Sequence, residues 1–340
     1  MTVVTLVAGG DVNVQDRRAP ARAFDGVRST LDAADIRFVN LEGPLSGTTP
    51  PGSGPDIAHK PNWRHSDPAM VEALTTAHID VVSCANNVTF PPAAALSSLS
   101  VLDAAGIGHC GAGATIAAAH QPAVVERGGE AVAFLAYTSI CWPFGHAATR
   151  DTPGVAAMRA TTSYRPDYRV GEVPGRAPTV LTAPVETDLQ RLTSDVRNAQ
   201  QSVDRVVVSI HWGIPGQDVC DYQRTVGHAA IDAGASIVVG HGPHSVHPVE
   251  MYRGKPIFYS VGNLVFDWSV MHGRHLHGLL ITAAFDDAVT ITPIARDTTN
   301  TAQVLTGPVA RGVLDALAAQ SAPLGAYLRV HGDTATLDLR

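Results

Sequence analysis

Apolar runs bounded by glycine or polar residues recur along this chain, and several intervals between them have helical spacing. This pattern predicts buried strands that begin near residues 3, 36, 79, 205, 235 and 256. It predicts helices at 21–34, 68–77, 93–105, 185–202 and 225–233, and hairpins at 124–137 and 279–293. Strands that alternate with helices indicate an α/β sandwich whose sheets are covered on both faces.

Two segments lack this periodicity. Residues 46–61 are rich in Gly, Pro, Ser and Thr, and we expect a loop there. Residues 141–184 are rich in Pro, Gly and Thr, and so long an excursion usually belongs to a binding site or is mobile. The tail from about residue 301 gives no clear pattern. Because the sequence contains no evident repeat or linker, we predict one domain.

Composition narrows the class of protein. The 340 residues are 45% apolar, and the formal net charge of −7 argues against a nucleic-acid partner. The cysteines are scattered without a C-x-x-C pair, which is compatible with a reducing cytosol; they are Cys84, Cys110, Cys141 and Cys220. Residues 1–10 lack the basic region of a signal peptide, and no apolar stretch is long enough for a membrane span. We therefore predict a cytoplasmic protein.

Ligand-type side chains follow the predicted strands at the point where each strand ends. They are Asp11, Asn13, Asn40, Glu42, Asn86, Asn87, His211, His241, His244 and Asn263. Ligand groups gather at the carboxyl ends of strands in open α/β sheets. Oxygen and nitrogen donors without thiolates suit manganese, iron or zinc. Two ions about 3.5–4 Å apart would clamp an attacking hydroxide and a developing oxyanion.

Each candidate also has an ordinary structural explanation when it is taken alone. Asp11 or Asn86 could cap the helix that follows its strand, and His211 could be a hydrogen-bonded core histidine. Lys60 could be a solvated cation, and Asn263 could simply form a turn. His247, which continues the spacing of His241 and His244, could lie on the surface. The joint pattern nevertheless favours a site.

Six motifs occur in an order that resembles a known family. They are Gly10-Asp11, Asn40-Leu41-Glu42, Ala85-Asn86-Asn87, His211-Trp212-Gly213, Gly240-His241-Gly242-Pro243-His244 and residues 259–266. This set resembles the CapA family of capsule and poly-γ-glutamate synthesis proteins, which have a calcineurin-like metallophosphatase fold. The resemblance covers residues 3–293. It implies a four-layer α/β/β/α sandwich of the metallo-dependent phosphatase type, with a CapA-like domain at 1–300 and a C-terminal extension at 301–340 packed on it.

The resemblance also implies roles for individual residues. Asp11 would hold one divalent ion, Glu42 would bridge two ions, and Asn87 and His211 would hold the second. His241 and His244 would complete the shells. We expect catalytic roles for His211, His244, His247 and Asn86, and substrate-binding roles for Lys60, Trp212 and Asn263.

Three positions depart from the family pattern. Val88 stands where the family usually has a histidine that protonates a leaving group or steadies a transition state. Gly242 replaces a second consecutive histidine, and His247 stands where glutamine is common.

These observations lead to a functional hypothesis with alternatives. The first is a dinuclear metal-dependent hydrolase of a phosphoester, or of a glutamyl-type amide or ester, in a small-molecule or polyglutamate pathway. The second is a non-catalytic, metal-binding accessory subunit of a polyglutamate or amide-ligase system. The third is an enzyme redirected to an unusual small-molecule substrate, which the Phe90-Pro91-Pro92 loop favours. The sequence leaves the substrate, the metal and the oligomeric state open.

Overall fold

The computed structural model describes residues 4–47, 57, 60 and 62–339. Most of the loop predicted at 46–61, and the beginning of the strand predicted at residue 3, lie outside the described residues. The strands of the described part are β1 (Thr5–Asn13), β2 (Ile36–Leu41), β3 (Val81–Ser83), β4 (Gly108–Cys110), β5 (Ala112–Gly113), β6 (Ala123–Arg127), β7 (Glu130–Thr138), β8 (Gly154–Val155), β9 (Ala160–Arg165), β10 (Thr179–Pro184), β11 (Arg205–His211), β12 (Ile237–His241), β13 (Val249–Tyr252), β14 (Lys255–Phe258), β15 (Asn263–Phe266), β16 (His277–Ala284), β17 (Ala288–Arg296), β18 (Ala302–Val304), β19 (Arg329–His331) and β20 (Thr334–Asp338).

Helices connect many of these strands. They are α1 (Arg28–Asp32), α2 (Val71–Thr76), α3 (Pro92–Ala104), α4 (Ile116–Ala119), α5 (Glu186–Gln200), α6 (Asp221–Ala233) and α7 (Gly307–Ser321). Short 3-10 turns lie at Pro20–Arg22, Pro68–Met70, Ser269–Met271 and Ala322–Leu324. No helix in the described ranges is long and apolar enough to cross a bilayer.

Two large sheets form the centre of the fold. The first has the order β19-β20-β17-β16-β1-β2-β3-β4, and in addition β15 pairs with β1 and β18 pairs with β17. The second has the order β13-β14-β12-β11-β7-β6. Strands β1 to β4 are parallel to one another, as are β7, β11, β12 and β14. The carboxyl ends of the parallel strands therefore lie along one edge of each sheet.

The two sheets pack face to face. Leu6, Phe38 and Val81 of the first sheet share a core with Phe134 and Val207 of the second. The Phe38 and Phe134 rings are stacked with centroids 5.2 Å apart, and burial of each such side chain contributes about 1.5–3 kcal/mol. This inner core fixes the spacing of the two sheets.

Helices cover both outer faces. Leu31, Leu74 and Leu102, from α1, α2 and α3, pack on the first sheet. Leu192 and Val226, from α5 and α6, pack on the second. The result is the predicted four-layer α/β/β/α sandwich. Because both faces of each sheet are covered, the central strands are continuous apolar runs and do not alternate between apolar and polar residues.

The helix predicted at 21–34 is wrong in extent. A 3-10 turn at Pro20–Arg22 and the short α1 take its place. Between them, Gly26 forms a bridge to Gln303, and a Cβ at Gly26 would lie 2.0 Å from the Gln303 side-chain oxygen. A continuous helix would not allow this approach, so a contact distant in sequence interrupts it.

The segment 141–184 is more ordered than its composition suggests. Strands β9 and β10 form an antiparallel hairpin, and β8 pairs with β5. Most residues of the hairpin are exposed or half-buried on both faces. Such strands carry no alternation of polar and apolar residues, which explains why the periodicity did not predict them.

The strand predicted from residue 256 corresponds to β14 of the second sheet. A strand that was not predicted, β15, follows it and pairs with β1 of the first sheet. The tail adds α7 and places β18 and β20 beside β17. The domain division at residue 300 stays a prediction.

Candidate metal centre

Strand ends from both sheets deliver the polar residues of the candidate site to one place. Asp11 lies near the end of β1, and its partners in register are Asn40 of β2 and Asn263 of β15. Glu42 follows β2 directly, while His211 and His241 end β11 and β12 side by side. In β1 the pairing with β2 shifts register between Ala8 and Asp11. Because all these residues lie at or next to strand ends, the site forms where the carboxyl ends of the two sheets meet.

Asp11 is the buried carboxylate on one side of the site. Its oxygens lie 3.3 Å from His241 Nδ1 and 3.5 Å from His244 Nδ1. The Asn40 amide donates a 2.8 Å hydrogen bond to it, and the Gly242 main-chain N–H donates at 3.3 Å. Burial by itself would raise the pKa of Asp11, but the two histidines hold that pKa well below its usual range. Asp11 is therefore ionised.

Glu42 is the second buried carboxylate. Its oxygens lie 3.5 Å from His211 Nε2 and 3.7 Å from His244 Nε2. One ligand-type atom from each of Asp11, Glu42 and His244 falls within 4.8 Å of the others. Burial opposes protonation of His244, but the charge of Glu42 and the contact with Asp11 raise the pKa of His244 to about 9. Two carboxylates thus concentrate negative charge around one imidazole.

Several buried donor atoms of this cluster lack a hydrogen bond within the described part of the chain. They are both carboxylate oxygens of Glu42 and both ring nitrogens of His211 and of His241; Oδ1 of Asn87, on the turn after β3, likewise has none. Unpaired buried polar atoms are costly, at about 1–3 kcal/mol each and more when charged. Carboxylate, imidazole and amide donors together fit a divalent transition metal, which would satisfy them. The residues present therefore suit the ions that the donor pattern predicts.

Glycine allows the close approaches that build the site. Gly242 has a φ of +105°, and a Cβ there would lie 2.7 Å from the Trp212 carbonyl oxygen. A Cβ at Gly10 would lie 2.0 Å from the carbonyl oxygen of Gly262. His244 itself has a φ of +57°, in the left-handed region that residues other than glycine seldom adopt. Strained backbone of this kind is concentrated at functional sites.

The turn after β3 uses its two asparagines differently. The Asn86 amide donates to the Leu41 carbonyl at 2.8 Å, and Asn86 Oδ1 accepts from the Thr89 hydroxyl at 3.0 Å. Asn86 therefore supports the turn, and its predicted catalytic role stays a prediction. Val88 is fully buried in an apolar cluster with Trp63 and Phe266.

Of the predicted substrate-binding residues, Asn263 contacts the cluster and Lys60 lies over two indole rings. Asn263 Oδ1 lies 2.9 Å from His244 Nδ1. Lys60 Nζ lies 4.9 Å from the centroid of the Trp268 ring and 5.4 Å from that of Trp63. Burial lowers the pKa of Lys60, and the charge of Glu42 opposes that change.

Two other predicted residues lie apart from the cluster. The Trp212 ring is fully buried among the residues between the second sheet and its helices, and its N–H donates to the Tyr259 carbonyl at 2.8 Å. His247 shares none of the contacts described for the cluster; burial lowers the pKa of its imidazole, and Asp218 opposes that shift. The substrate and catalytic roles of these two residues stay predictions.

Sequence reasoning did not single out one buried histidine, which contacts Phe90 after the β3 turn. His146 is buried between Trp142 and Phe90. It is the only histidine of segment 141–184, and that isolation is the one signal the sequence offered.

Comparison with known proteins gives a family relationship. The family model described as bacterial capsule synthesis protein PGA_cap matches residues 5–268. A probable polyglutamine synthesis accessory protein of Mycobacterium tuberculosis is 32% identical over 249 residues, covering 71% of this chain and 58% of that protein. The PGA biosynthesis protein CapA of Bacillus subtilis is 26% identical, covering 75% of this chain and 59% of that protein. The chain thus spans less than two thirds of the length of these two relatives.

A solved structure of a novel phosphatase from Mycoplasma pneumoniae is also similar. It aligns with a TM-score of 0.46 and 13% identity, covering 90% of this chain and 92% of that chain.

Proposed function

This chain belongs to the bacterial capsule synthesis protein family PGA_cap, and from that premise we propose that it is a dinuclear metal-dependent hydrolase. We propose as its substrate a phosphoester, or a glutamyl-type amide or ester. One observation supports this proposal above others: buried carboxylates and imidazoles from both sheets converge, and the Glu42 oxygens and the ring nitrogens of His211 and His241 have no hydrogen bond in the described ranges. A purely structural polar cluster would be expected to satisfy these atoms internally.

We assign the ion ligands from the family resemblance, together with the contacts among the carboxylates and histidines of the cluster. Asp11 would hold one ion, Glu42 would bridge the pair, and Asn87 and His211 would hold the second. His241 and His244 would complete the two shells. Manganese, iron and zinc all accept this donor set. When bound, such ions lower the pKa of water and polarise a substrate oxygen.

The protein's own groups orient these ligands. The Asn40 amide and the Gly242 N–H fix the Asp11 carboxylate. Asn263 Oδ1 lies at His244 Nδ1, so that His244 Nε2 faces Glu42. Partners of this kind set the tautomer and the direction of a ligating histidine.

We propose that Lys60 binds the negative charge of the substrate. Its ammonium group lies over two indole rings and within the electrostatic influence of Glu42. A partly desolvated ammonium attracts phosphate or carboxylate more strongly than an exposed one does. Val88 cannot transfer a proton, so at that position the chain lacks the roughly 10²–10⁴-fold that a dedicated acid commonly contributes.

The cellular setting is part of the same proposal. Relatives are named for polyglutamine synthesis and PGA biosynthesis, and we propose a glutamyl compound or polymer as the physiological substrate. We also propose a cytoplasmic location, with which the four free cysteines of the structure are compatible.

A second candidate is a metal-binding accessory subunit without turnover. Two observations favour it: the Mycobacterium relative is named an accessory protein, and the buried Val88 packs against apolar side chains. In this case the cluster would stabilise the fold and present a surface to a ligase.

One experiment separates the two candidates. The purified protein is analysed for metal content and assayed on aryl phosphates and glutamyl anilides. The proposed enzyme should contain about two ions per chain and show turnover that His211→Ala abolishes, while His331→Ala, at an exposed position, keeps it. Bound metal without hydrolysis of either class would favour the accessory subunit. Neither metal nor turnover would refute both.

A further inference from the structure

We propose that Arg296 is a positioning residue for the candidate metal centre. Its guanidinium binds main-chain carbonyls of the loop 267–276, which connects β15 to β16. Through the His275 carbonyl it fixes the Asn263 amide, and that amide orients His244. The inference rests on the proposed function, because His244 is one of the proposed ion ligands. Arg296 itself belongs to none of the six motifs and lies beyond the residues that the family model matches.

The Arg296 side chain is buried at the end of β17, where it faces neutral acceptors. The residue is 3% exposed. Its two Nη groups donate to five oxygen atoms, which are those of the Phe266 carbonyl at 2.8 Å, the Met271 carbonyl at 3.4 Å, the Arg274 carbonyl at 2.6 Å, the His275 carbonyl at 3.1 Å and Asn300 Oδ1 at 3.1 Å. Its Nε forms no hydrogen bond within the described ranges. A guanidinium carries its donors in a fixed planar fork, so these contacts hold several carbonyls in one arrangement.

The loop 267–276 depends on this guanidinium along much of its length. Four of the five acceptors are main-chain carbonyls, one directly before the loop and three within it. The loop is irregular: besides a 3-10 turn at Ser269–Met271, Gly273 has a φ of +70° and His275 has a φ of +47°. Carbonyls outside regular structure need donors from elsewhere in the chain. A residue other than glycine keeps a left-handed conformation where its surroundings impose it, and the bond to the His275 carbonyl is one such constraint.

Asn263 connects the loop to the metal centre. Its side chain is fully buried, and its Nδ2 donates to the carbonyls of His275 at 3.3 Å and of His244 at 3.5 Å. With Nδ2 directed at these carbonyls, Asn263 Oδ1 lies 2.9 Å from His244 Nδ1. A neutral imidazole that donates through Nδ1 has its lone pair on Nε2, and His244 Nε2 lies 3.7 Å from the Glu42 carboxylate. Three consecutive hydrogen bonds thus connect Arg296 to a proposed ligand.

A double-mutant cycle on metal affinity tests this connection. Wild type, Arg296→Met, Asn263→Ala and the double variant are freed of bound metal and titrated with Mn²⁺ by calorimetry. We expect Asn263→Ala to weaken one of two ions about 10–100-fold, as for other residues that hydrogen-bond to a metal ligand. Arg296→Met acts one step further away and should weaken the same ion about tenfold, the lower end of that range. If Arg296 acts through Asn263, the double variant should bind no more weakly than Asn263→Ala alone, whereas independent effects would multiply.

The control is Arg17→Met, which removes a second arginine that binds the same loop. The Arg17 side chain is 7% exposed and forms two hydrogen bonds to the Asp267 carboxylate, at the beginning of the loop. None of its hydrogen bonds in the described ranges reaches His275. We expect Arg17→Met to lower the Tm but to keep the wild-type affinity for both ions. A loss of affinity equal to that in Arg296→Met would overturn the inference, because any disturbance of the loop would then suffice.

The outcomes separate this inference from the proposed function. A wild-type protein that binds no Mn²⁺ would overturn both. Wild-type affinity in Arg296→Met, or effects of Arg296→Met and Asn263→Ala that multiply, would overturn the role of Arg296 and leave the metal centre intact. If Arg296→Met does not fold, the cycle is repeated with Arg296→Lys, which keeps the buried charge but cannot hold the same carbonyls with a planar fork. The same comparison with Asn263→Ala then decides the question.

Discussion

Replacement of Asp11 by asparagine removes one negative charge from the candidate metal centre while it preserves the size of the side chain. The wild-type carboxylate is fully buried and lies 3.3 Å from His241 Nδ1 and 3.5 Å from His244 Nδ1. Asn40 donates to it. Because hard and borderline cations depend on anionic ligands, a neutral amide at this place should weaken the ion it serves.

The expected size of the effect follows from binding linkage. Loss of a residue that hydrogen-bonds to a metal ligand weakens metal affinity about 10–100-fold. Loss of the ligand itself should weaken it by about 100-fold or more. At a metal concentration about 100 times the wild-type Kd, one ion stabilises the wild type by about 2.7 kcal/mol. With a Kd raised about 100-fold, Asp11→Asn would keep only about 0.4 kcal/mol. The difference corresponds to roughly 3 °C in Tm for a chain of 340 residues.

The assay compares the Tm of each protein in chelator with its Tm in excess Mn²⁺, so that baseline changes in stability cancel. Asp16→Asn is the matched control, because Asp16 is exposed, follows the same strand and has a φ of +54° that asparagine tolerates. We expect the control to keep the full metal-dependent shift. An equally full shift in Asp11→Asn would refute the assignment of this carboxylate as a ligand.

Three further predictions address packing, pH and substrate binding. Gly10→Ala should lower the free energy of unfolding in urea by about 1–3 kcal/mol, because its methyl group would lie 2.0 Å from a main-chain oxygen. The control is Gly171→Ala, whose methyl group would meet no atom within 4 Å. Equal stability of the two variants would contradict this prediction. Burial lowers the pKa of His146 to about 4 from an ordinary 6.5. Between these pH values the unfolded chain protonates this imidazole and the folded protein does not. The free energy of unfolding of the metal-free protein should therefore be at its full value above pH 6.5 and fall by up to about 3 kcal/mol as the pH falls from 6.5 to 4. His146→Gln should reduce that slope, and an unchanged slope would count against the buried neutral imidazole. Lys60→Met should raise KM for an anionic chromogenic substrate about tenfold or more, while Lys255→Met, at the chain's other lysine, should leave KM unchanged; equal effects would argue against a substrate contact.

The sequence alone determined the architecture and the set of candidate ligands. Apolar runs such as that of β12 are long enough to be buried strands, and glycine ends them where polar residues begin. Because parallel strands bring their carboxyl ends to the same edge, chain order already indicated that Asp11, Glu42, His211 and His241 would share a region. The pattern of apolar residues is a local property of the chain. It suffices to predict a strand where burial on both faces requires a continuous apolar run.

Only the tertiary structure decided which polar residues face the centre and which support it. Asn86 and Asn87 are neighbours in sequence, yet their side chains differ in hydrogen bonding. The Asn86 side chain is hydrogen-bonded to Leu41 and Thr89, whereas Asn87 Oδ1 has no hydrogen bond among the described residues. Trp212 follows a proposed ligand but donates to a carbonyl 47 residues away, and His146 packs against Phe90 from a separate loop. These outcomes depend on hydrogen bonds and packing between segments far apart in the chain, and residue type and spacing carry no record of such contacts.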